Sequence, residues 1–332
     1  MLNAGTLTHG GIMLNYQCNA ACRHCLYSCS PTRNPGYVSE DSMEKICRLL
    51  SKGGCCSVHI GGGEPFLDFE GLLMAVRKLR QAGIKLEYIE TNAFWAAEAE
   101  DKQEVLLKRL MAEGASCLCI SLDPFHAEHV PYGAPVALAQ LCETTGMDYF
   151  LWKGDFLSSL SMLDANKTHS RSELEKNISE KYIHNTAMVY GIEYGGRAVN
   201  IEKEYATFFP VENFTGGSAP CKRLLSTMHF HVDMNCNFIP PRCTGIIIPL
   251  SEVVDGIPDE KYPAFNALYS GGVSALLNLA AENGFSPVKS GYSSACNLCF
   301  HLRHFLSEKD SEVKKFSELD KNHYEEALRY YS

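Results

Sequence analysis

The feature that most constrains the fold is a repeat of short apolar and amphipathic segments between about residues 10 and 200. Gly83, Gly114 and Gly146 follow three of the amphipathic segments, where glycine is the usual left-handed C-cap of a helix. Strands that alternate with helices favour parallel βαβ units. The pattern predicts helices after an N-cap at Ser39 and over 69–81, 97–113, 135–145 and 172–179, and strands over 11–16, 57–60, 84–89, 117–122, 149–152 and 183–189. Six such units could close most of a barrel, so the predicted class is α/β.

Charge and apolar content exclude several classes of partner. The 332 residues are 45% hydrophobic and carry a formal net charge of -9, which argues against nucleic acid because phosphate binding needs basic patches. No stretch approaches the roughly 18 apolar residues of a membrane span. The first thirty residues contain no secretory signal pattern. The sequence therefore predicts a cytoplasmic protein with neither a nucleic-acid nor a membrane partner.

The chain has fifteen cysteines, which in a reducing compartment remain thiols or become metal ligands. Cys18, Cys22 and Cys25 lie within eight residues, and three thiolates bind three irons of a [4Fe-4S] cluster while the fourth iron stays open. A zinc site is the alternative, because Cys29 could serve as a fourth ligand. Both interpretations are compatible with the spacing.

A glycine-rich segment, Gly61-Gly62-Gly63-Glu64-Pro65, follows the second predicted strand. Glycines there allow close backbone approach to a ligand, and Glu64 could accept hydrogen bonds from an ammonium group. A Gly-rich turn with a solvated glutamate is the alternative. Active sites of barrels lie at the C-terminal strand ends, and both motifs fall at such ends.

Taken in order, the two motifs resemble those of the radical S-adenosylmethionine (SAM) superfamily, C-x-x-x-C-x-aromatic-C followed by Gly-Gly-Glu-Pro. The resemblance covers about residues 10 to 200 and implies a partial (β/α)6 TIM-like barrel. It implies that Cys18, Cys22 and Cys25 hold a SAM-binding [4Fe-4S] cluster, and that His24 lies near the adenine. The remaining SAM contacts that it implies are Gly62, Gly63, Glu64 and Pro65, with Asn92, Ser121 and Asp123 at the next strand ends as further candidates.

Some of these positions have a second interpretation. Asn92, Ser121 and Asp123 could instead cap turns, as such residues often do. His126 and His129 could face substrate or lie on the surface. Arg197, in a Gly-Arg-Ala segment found in several relatives, could pair with a carboxylate or form a surface salt bridge.

A second cysteine group lies outside the predicted barrel. Cys296 and Cys299 form a C-x-x-C pair at a predicted helix start, and Cys221 and Cys243 flank a predicted hairpin over 229–242. A zinc site is the chemical alternative. The arrangement resembles the twitch domain, a shortened SPASM domain, which implies that these four cysteines bind an auxiliary [4Fe-4S] cluster. Cys236 stands where the resemblance expects a turn glycine, and is either a spare thiol or a substitute ligand for Cys243.

The resemblance therefore implies three regions: a radical SAM core over 1–205, a twitch/SPASM-like domain over 206–305 and a C-terminal helix over 306–332. The implied activity is reductive cleavage of SAM to a 5′-deoxyadenosyl radical, which takes hydrogen from a peptide or protein side chain in an oxidative maturation. A small-molecule dehydrogenase and a non-enzymatic iron–sulfur or zinc protein are the alternatives. A flavodoxin or ferredoxin is the expected electron donor, and no residue is identified as a general base.

Overall fold

The computed structural model describes residues 2–97, 100–192, 195–217, 219–258, 260–313 and 315–331. Its centre is one eight-stranded sheet with the order β5-β4-β3-β2-β1-β6-β7-β8. The strands are β1 (His9–Met13), β2 (Ser57–Gly61), β3 (Lys85–Thr91), β4 (Cys117–Ser121), β5 (Asp148–Trp152), β6 (Met228–Asp233), β7 (Asn237–Ile239) and β8 (Ile248–Pro249). Strands β1 to β6 pair in parallel, whereas β7 pairs antiparallel with both β6 and β8. The α/β class is confirmed.

Helices connect the parallel strands in the predicted alternation. They are α1 (Glu40–Lys52), α2 (Phe69–Gln81), α3 (Glu100–Glu113), α4 (Pro124–Ala127), α5 (Gly133–Thr145), α6 (Leu157–Leu160), α7 (Arg171–Asn177), α8 (Tyr182–Tyr190), α9 (Val199–Glu202), α10 (Glu212–Thr215), α11 (Leu250–Asp255), α12 (Pro263–Glu282), α13 (Ala295–Val313) and α14 (Lys321–Arg329). The predicted cap of α1 is confirmed, because the Ser39 side chain accepts a hydrogen bond from the Ser42 N–H. Within the described ranges, no helix has the length and apolar character needed to cross a membrane.

The sixth predicted strand is wrong. Residues 183–189 lie within α8, and its buried residues, including Ile183, Thr186 and Ala187, recur at helical spacing. The sixth parallel strand is β6, which lies beside β1 at the opposite side of the sheet from β5. The strands therefore do not follow one another around a barrel in chain order. Because β6 to β8 continue the same sheet, the boundary expected near residue 205 does not interrupt it.

The predicted C-terminal helix over 306–332 is divided. Its first residues, up to Val313, belong to α13, and α14 begins only at Lys321. Phe316 and Leu319 are buried in the main core, and Leu319 forms an antiparallel bridge with Ile246. The chain turns at residues 317–318 between these two buried side chains, with a hydrogen bond from the Leu319 N–H to the Phe316 carbonyl, so one continuous helix does not form there.

The two faces of the sheet serve different purposes. Val58 and Ile60 of β2 pack into the core beneath α1, α2, α3 and α5, whereas His59 between them points to the other face. That second face lies against a large cavity, and the loops at the carboxyl ends of the strands close over it. The fold thus places polar side chains of several strands on one open surface.

Candidate functional site

A cavity of about 840 Å³ lies at the carboxyl end of the parallel strands and runs down the open face of the sheet. Most of the residues predicted to form the N-terminal site line it: Cys18, Cys22, His24, Cys25, Gly62, Gly63, Glu64, Pro65, Asn92 and Ser121. Cys29 also lines the cavity, whereas Asp123 does not. Motifs that are separated in sequence therefore meet around one space.

The glycine motif packs directly against the backbone that carries the first cysteines. The Gly63 N–H donates to the Asn15 carbonyl at 2.9 Å, and the Glu64 N–H donates to the Gln17 carbonyl at 3.0 Å. A Cβ atom on Gly63 would lie 1.9 Å from the Gln17 oxygen. The sequence predicted that these glycines allow close approach to a ligand. Here their immediate partner is the strand-to-loop connection that leads into Cys18.

Arg197 lies beneath the cysteine loop and is fully buried. Its guanidinium donates to the carbonyls of Cys22 at 2.9 Å and Cys29 at 2.7 Å. The backbone N–H of Arg197 donates to the Cys25 carbonyl at 3.0 Å. The surface salt bridge is therefore the wrong interpretation of Arg197, because its side chain is buried. Within the part of the chain that the structure describes, no carboxylate forms an ion pair with it. It is a buried cation surrounded by backbone carbonyls and thiols.

The thiols beside Arg197 differ in acidity. A side-chain hydrogen bond with Cys29 lowers the pKa of Cys25 to about 5, and Arg197 contributes in the same direction. Burial raises the pKa of Cys18 well above the usual thiol value. A buried arginine with no carboxylate partner fits a site in which several thiolates are negatively charged together, as they are when they bind iron.

The carboxylate of Glu64 is buried at the wall of the cavity. It accepts hydrogen bonds from the Phe66 N–H at 3.1 Å, the Thr91 hydroxyl at 2.9 Å and the Asn92 N–H at 2.8 Å. Burial nevertheless raises the pKa of Glu64 to about 7. A bound ammonium group would compensate for this burial, because an adjacent cation favours the charged carboxylate.

The three strand-end candidates have different surroundings. The Asn92 side-chain amide donates to the Asn19 side chain at 2.8 Å and contacts Cys18 Sγ at 3.6 Å, so it adjoins the first cysteine. Ser121 lines the cavity. Asp123 is the N-cap of α4, where it accepts from the Phe125 and His126 N–H groups. Its capping role corresponds to the alternative interpretation for this position.

His24 stands at the centre of a group of rings. Its ring centroid lies 4.5 Å from that of Tyr190, 5.0 Å from that of His126 and 5.2 Å from that of Phe125. Burial lowers the pKa of His24 to about 4, so its ring is neutral. Although burial opposes protonation, the Asp123 carboxylate at 2.6 Å holds the pKa of His126 well above its usual value.

The C-terminal segment packs on the outside of the cysteine loop. Tyr331 donates from its hydroxyl to the Ala21 carbonyl at 2.9 Å and also contacts His129 Nε2 at 3.1 Å. Glu326 of α14 accepts a hydrogen bond from the Ser30 hydroxyl at 2.7 Å. The C-terminal segment therefore covers the loop that carries Cys18, Cys22 and Cys25.

The second cysteine group also converges in space. A side-chain hydrogen bond with Cys243 lowers the pKa of Cys221 to about 6. Burial raises the pKa values of Cys296 and Cys299, and nearby Cys221 contributes in the same direction. The C-x-x-C pair lies in the first turns of α13. A buried arginine, Arg303, accompanies this group too. It donates to the Thr244 carbonyl at 2.7 Å and interacts with the Cys299 side chain.

Cys236 is oriented away from this group. It occupies the turn between β6 and β7 with a φ of 63°, the conformation for which glycine is expected there. Its thiol is 3.5 Å from the Ser42 carbonyl of α1, and it packs in the main core. Its contacts are those of a small buried residue.

Neither cysteine group has the spacing of a single-ion site. Among the described residues, no three thiols lie within 4.8 Å of one another. A tetrahedral zinc with Zn–S bonds of about 2.3 Å would hold its sulfurs about 3.8 Å apart. In each group two thiols share a hydrogen bond, Cys25 with Cys29 and Cys221 with Cys243, so the thiols are close only in pairs.

Other residues at the cavity were not identified from the sequence. Trp152, Lys153 and Tyr190 form part of its wall, and the Trp152 indole N–H donates to the Tyr190 hydroxyl at 2.9 Å. Glu90 and His229 also line it. Glu90 could have been identified from the sequence, because it directly precedes Thr91 at the end of β3. Nothing comparable indicated Lys153, whose backbone has a φ of 63° after the end of β5.

Comparison with known proteins gives a family match to the N-terminal part of the chain. Residues 11–112 match a family described as a 4Fe-4S single cluster domain. This match confirms the coarser prediction of one iron–sulfur cluster domain and includes Cys18, Cys22, Cys25 and the glycine motif. The auxiliary cysteines lie outside the matched residues.

Two curated relatives have similar sequences. YydG of Bacillus subtilis (strain 168), a protein named for peptide biosynthesis, is 31% identical over 121 residues, which are 36% of this chain and 37% of YydG. GTP 3′,8-cyclase of Klebsiella pneumoniae (strain 342) is 29% identical over 115 residues, 33% of this chain and 32% of the cyclase. The chain thus spans about a third of the length of these relatives.

Solved structures resemble the chain more loosely. anSMEcpe with bound AdoMet is 14% identical, with coverage of 93% of this chain and 98% of that one and a TM-score of 0.44. BtrN in complex with AdoMet and 2-DOIA is 13% identical, with coverage of 82% and 90% and a TM-score of 0.44. At TM-scores below 0.5, neither similarity bears on function. The comparisons therefore characterise residues 11–112 as similar to a 4Fe-4S single cluster domain.

Proposed function

We propose that this chain is a radical SAM enzyme whose Cys18, Cys22 and Cys25 hold a [4Fe-4S] cluster with one iron open to SAM. The observation that carries the proposal is the convergence of these cysteines with Gly62–Pro65 on one cavity of about 840 Å³. An electron carrier needs no enclosed space with a buried carboxylate beside its cluster. The match of residues 11–112 to a family described as a 4Fe-4S single cluster domain supports the same proposal.

The chain's own residues have distinct tasks in this activity. When bound, the reduced cluster supplies the electron that cleaves SAM to methionine and a 5′-deoxyadenosyl radical, which takes a hydrogen atom from substrate. Glu64 would accept hydrogen bonds from the methionine ammonium, and the neutral His24 ring would pack near the adenine. Asn92 would orient the Cys18 sulfur, Arg197 would balance thiolate charge, and the C-terminal segment would exclude water from the loop.

For substrate, we propose a peptide or protein side chain. The similarity to YydG, a protein named for peptide biosynthesis, favours this class over a small metabolite. Two exposed apolar residues also line the cavity, Met228 at the start of β6 and Trp152 at the end of β5, with 69% and 43% of their surface accessible. Such side chains could pack against those of a peptide substrate.

We further propose that Cys221, Cys243, Cys296 and Cys299 hold one auxiliary [4Fe-4S] cluster. Their mutual proximity and the adjacent buried Arg303 support it. The corresponding organisation is a core over 1–205, an auxiliary region over 206–305 and a terminal segment over 306–332. Fifteen free cysteines fit a reducing cytoplasm, where a flavodoxin or ferredoxin would supply the electron to the first cluster. The auxiliary cluster would accept an electron from the substrate radical, which would make the reaction oxidative overall.

The first prediction concerns SAM cleavage. After anaerobic cluster reconstitution and reduction, the chain should convert SAM to 5′-deoxyadenosine and methionine, measured by liquid chromatography and mass spectrometry. Cys22→Ser should abolish the product because it removes a cluster ligand. Cys29→Ser is the matched control and should retain most of the activity, since only three thiolates are needed. Absence of 5′-deoxyadenosine from protein with an intact cluster would refute the proposal.

The second prediction concerns the auxiliary cluster. The reconstituted chain should contain about eight irons, from two four-iron clusters. A variant with serine at Cys221, Cys243, Cys296 and Cys299 should keep about four irons and still cleave SAM. Cys236→Ser should keep the full iron content because its thiol faces α1. An unchanged iron content in the fourfold variant would show that these cysteines bind no cluster.

A further inference from the structure

Four histidines gather on the open face of the sheet, at some distance from the cysteines along the strands. His9 begins β1, His59 lies in β2, and His229 and His231 belong to β6. The strand register places Gly11 of β1 opposite both His59 and His231. Because neighbouring parallel strands hold paired residues at one level, the histidine rings come together across three strands.

Three of these rings offer nitrogens close enough for one ion. A ring nitrogen from each of His9, His59 and His229 lies within 4.8 Å of those of the other two. The ring centroids are 5.3 to 5.6 Å apart. Tetrahedral zinc with Zn–N bonds of about 2.1 Å would hold its nitrogens about 3.4 Å apart. Rotation of the two accessible rings, His9 and His229, would close this difference.

The backbone is specially arranged to accommodate the rings. A Cβ atom on Gly11 would lie 2.3 Å from His59 Nε2 and 2.5 Å from the His231 ring, so glycine is required there. The register of β1 and β6 shifts between His9 and Gly10, which leaves His229 as the extra residue of a β-bulge. His229 has a φ of 61°, a strained conformation for a residue with a side chain. Bulges of this kind often redirect a side chain at functional sites.

The most buried member of the cluster has an unused nitrogen. His59 is fully buried, and its Nδ1 has no hydrogen-bond partner among the described residues. Its other nitrogen is 3.1 Å from His231 Nε2, and the Tyr27 hydroxyl contacts His231 Nδ1 at 2.8 Å. A buried polar atom without a partner is costly, and a metal ion would satisfy it. Tyr27 and His231 would act as the outer groups that orient a metal-bound imidazole.

The state of the rings and their neighbours also suits a cation. Burial lowers the pKa of His59 to about 3, so its ring is neutral and able to bind metal. Glu87 lies 3.4 Å from His9 Nδ1, and Glu90 lies 3.7 Å from His59 Nε2. His229 is exposed and lines the cavity, which provides an entry path for an ion.

We propose that His9, His59 and His229 form a binding site for a divalent transition-metal ion of the zinc type, with its remaining position directed toward the cavity. Neutral imidazoles with a nearby carboxylate are ligands that such ions prefer. The site is separate from both cysteine groups and contains no thiol. It would let a substrate group that enters the cavity bind a metal as well as approach the first cysteine loop.

Zinc binding to the cluster-loaded protein tests this proposal. Protein reconstituted anaerobically with iron and sulfide is treated with a chelator, incubated with Zn²⁺ alone, desalted and analysed for metals. We expect about one zinc per chain in addition to the iron, and zinc-edge X-ray absorption should show nitrogen and oxygen ligands at about 2.0–2.1 Å. A sulfur shell at about 2.3 Å would place the zinc on cysteines and overturn the proposal.

His229→Gly is the decisive variant, because glycine adopts the positive φ at this position without strain. It should fold at least as stably as the parent while its zinc affinity falls about 100-fold or more, since loss of an outer-shell partner alone costs about 10–100-fold. His304→Ala is the matched control and should bind zinc like the parent, because this half-buried histidine of α13 lies beside Glu308 and does not line the cavity. Equal zinc affinity in His229→Gly and the parent would overturn the proposal whether or not the chain cleaves SAM.

Discussion

Gly63→Ala should leave the chain unable to hold its N-terminal cluster. The new Cβ would lie 1.9 Å from the Gln17 carbonyl oxygen and 3.0 Å from the Cys18 nitrogen, both of them backbone atoms that cannot rotate away. Overpacking of this kind costs about 3 kcal/mol, and here it acts directly on the loop that positions Cys18. We expect iron content to fall by about half and 5′-deoxyadenosine formation to be lost, while the auxiliary cluster remains.

Gly83→Ala provides the control for this result. Gly83 has a positive φ, of 70°, and a Cβ there would meet no atom within 4 Å. The change should cost about 1 kcal/mol through backbone strain alone and leave the iron content unchanged. If Gly63→Ala retained full iron and full activity, the close contact between the glycine motif and the cysteine loop would not be what positions the cluster.

Arg197→Met should weaken the cluster site more than it weakens the fold. Methionine occupies a similar volume but leaves the carbonyls of Cys22 and Cys29 without their guanidinium donor. It also removes the positive charge beside the thiolates. Buried carbonyls that lose a charged donor cost about 1–3 kcal/mol each. In the cluster-free protein this loss of stability is partly offset, because the variant no longer buries a cation without a carboxylate partner.

Iron retention and thermal unfolding together test this expectation. The cluster-loaded variant should lose iron at least tenfold faster than the parent on exposure to a chelator, while the melting temperature of the cluster-free chain changes little. Arg197→Lys should recover part of the retention, because it keeps the charge. Arg171→Met is the matched surface control, since that arginine pairs with Glu175 and Glu204 in solvent. Equal iron loss from Arg197→Met and the parent would exclude a charge-balancing role.

Local signals accounted for much of the fold. The Ser39 cap and the apolar spacing after it predicted α1, and α2 spans the predicted residues. In the segment that became α8, the apolar residues are too few and too close together to separate a strand from a short helix. The place of β6 beside β1 depends on contacts between distant parts of the chain, which no local pattern records.

The candidate site was predictable to a similar extent. The spacing of Cys18, Cys22 and Cys25 and the glycine motif identified residues that line one cavity. The role of Arg197 was missed because its three partners are backbone carbonyls. Every residue has a backbone carbonyl, so the sequence does not indicate which ones Arg197 contacts. The histidine cluster was missed for a related reason. His9, His59 and His229 are adjacent only through the register of three strands.

The most direct test of the central claim is whether the methionine part of SAM binds the cluster that Cys18, Cys22 and Cys25 hold. The reduced protein, with the four auxiliary cysteines replaced by serine, is mixed with SAM carrying ¹⁵N in its amino group and studied by pulsed electron–nuclear double resonance. The account predicts a ¹⁵N hyperfine coupling to the cluster that disappears when unlabelled SAM is used. An intact cluster signal with no ¹⁵N coupling, at SAM concentrations that saturate binding, would contradict it.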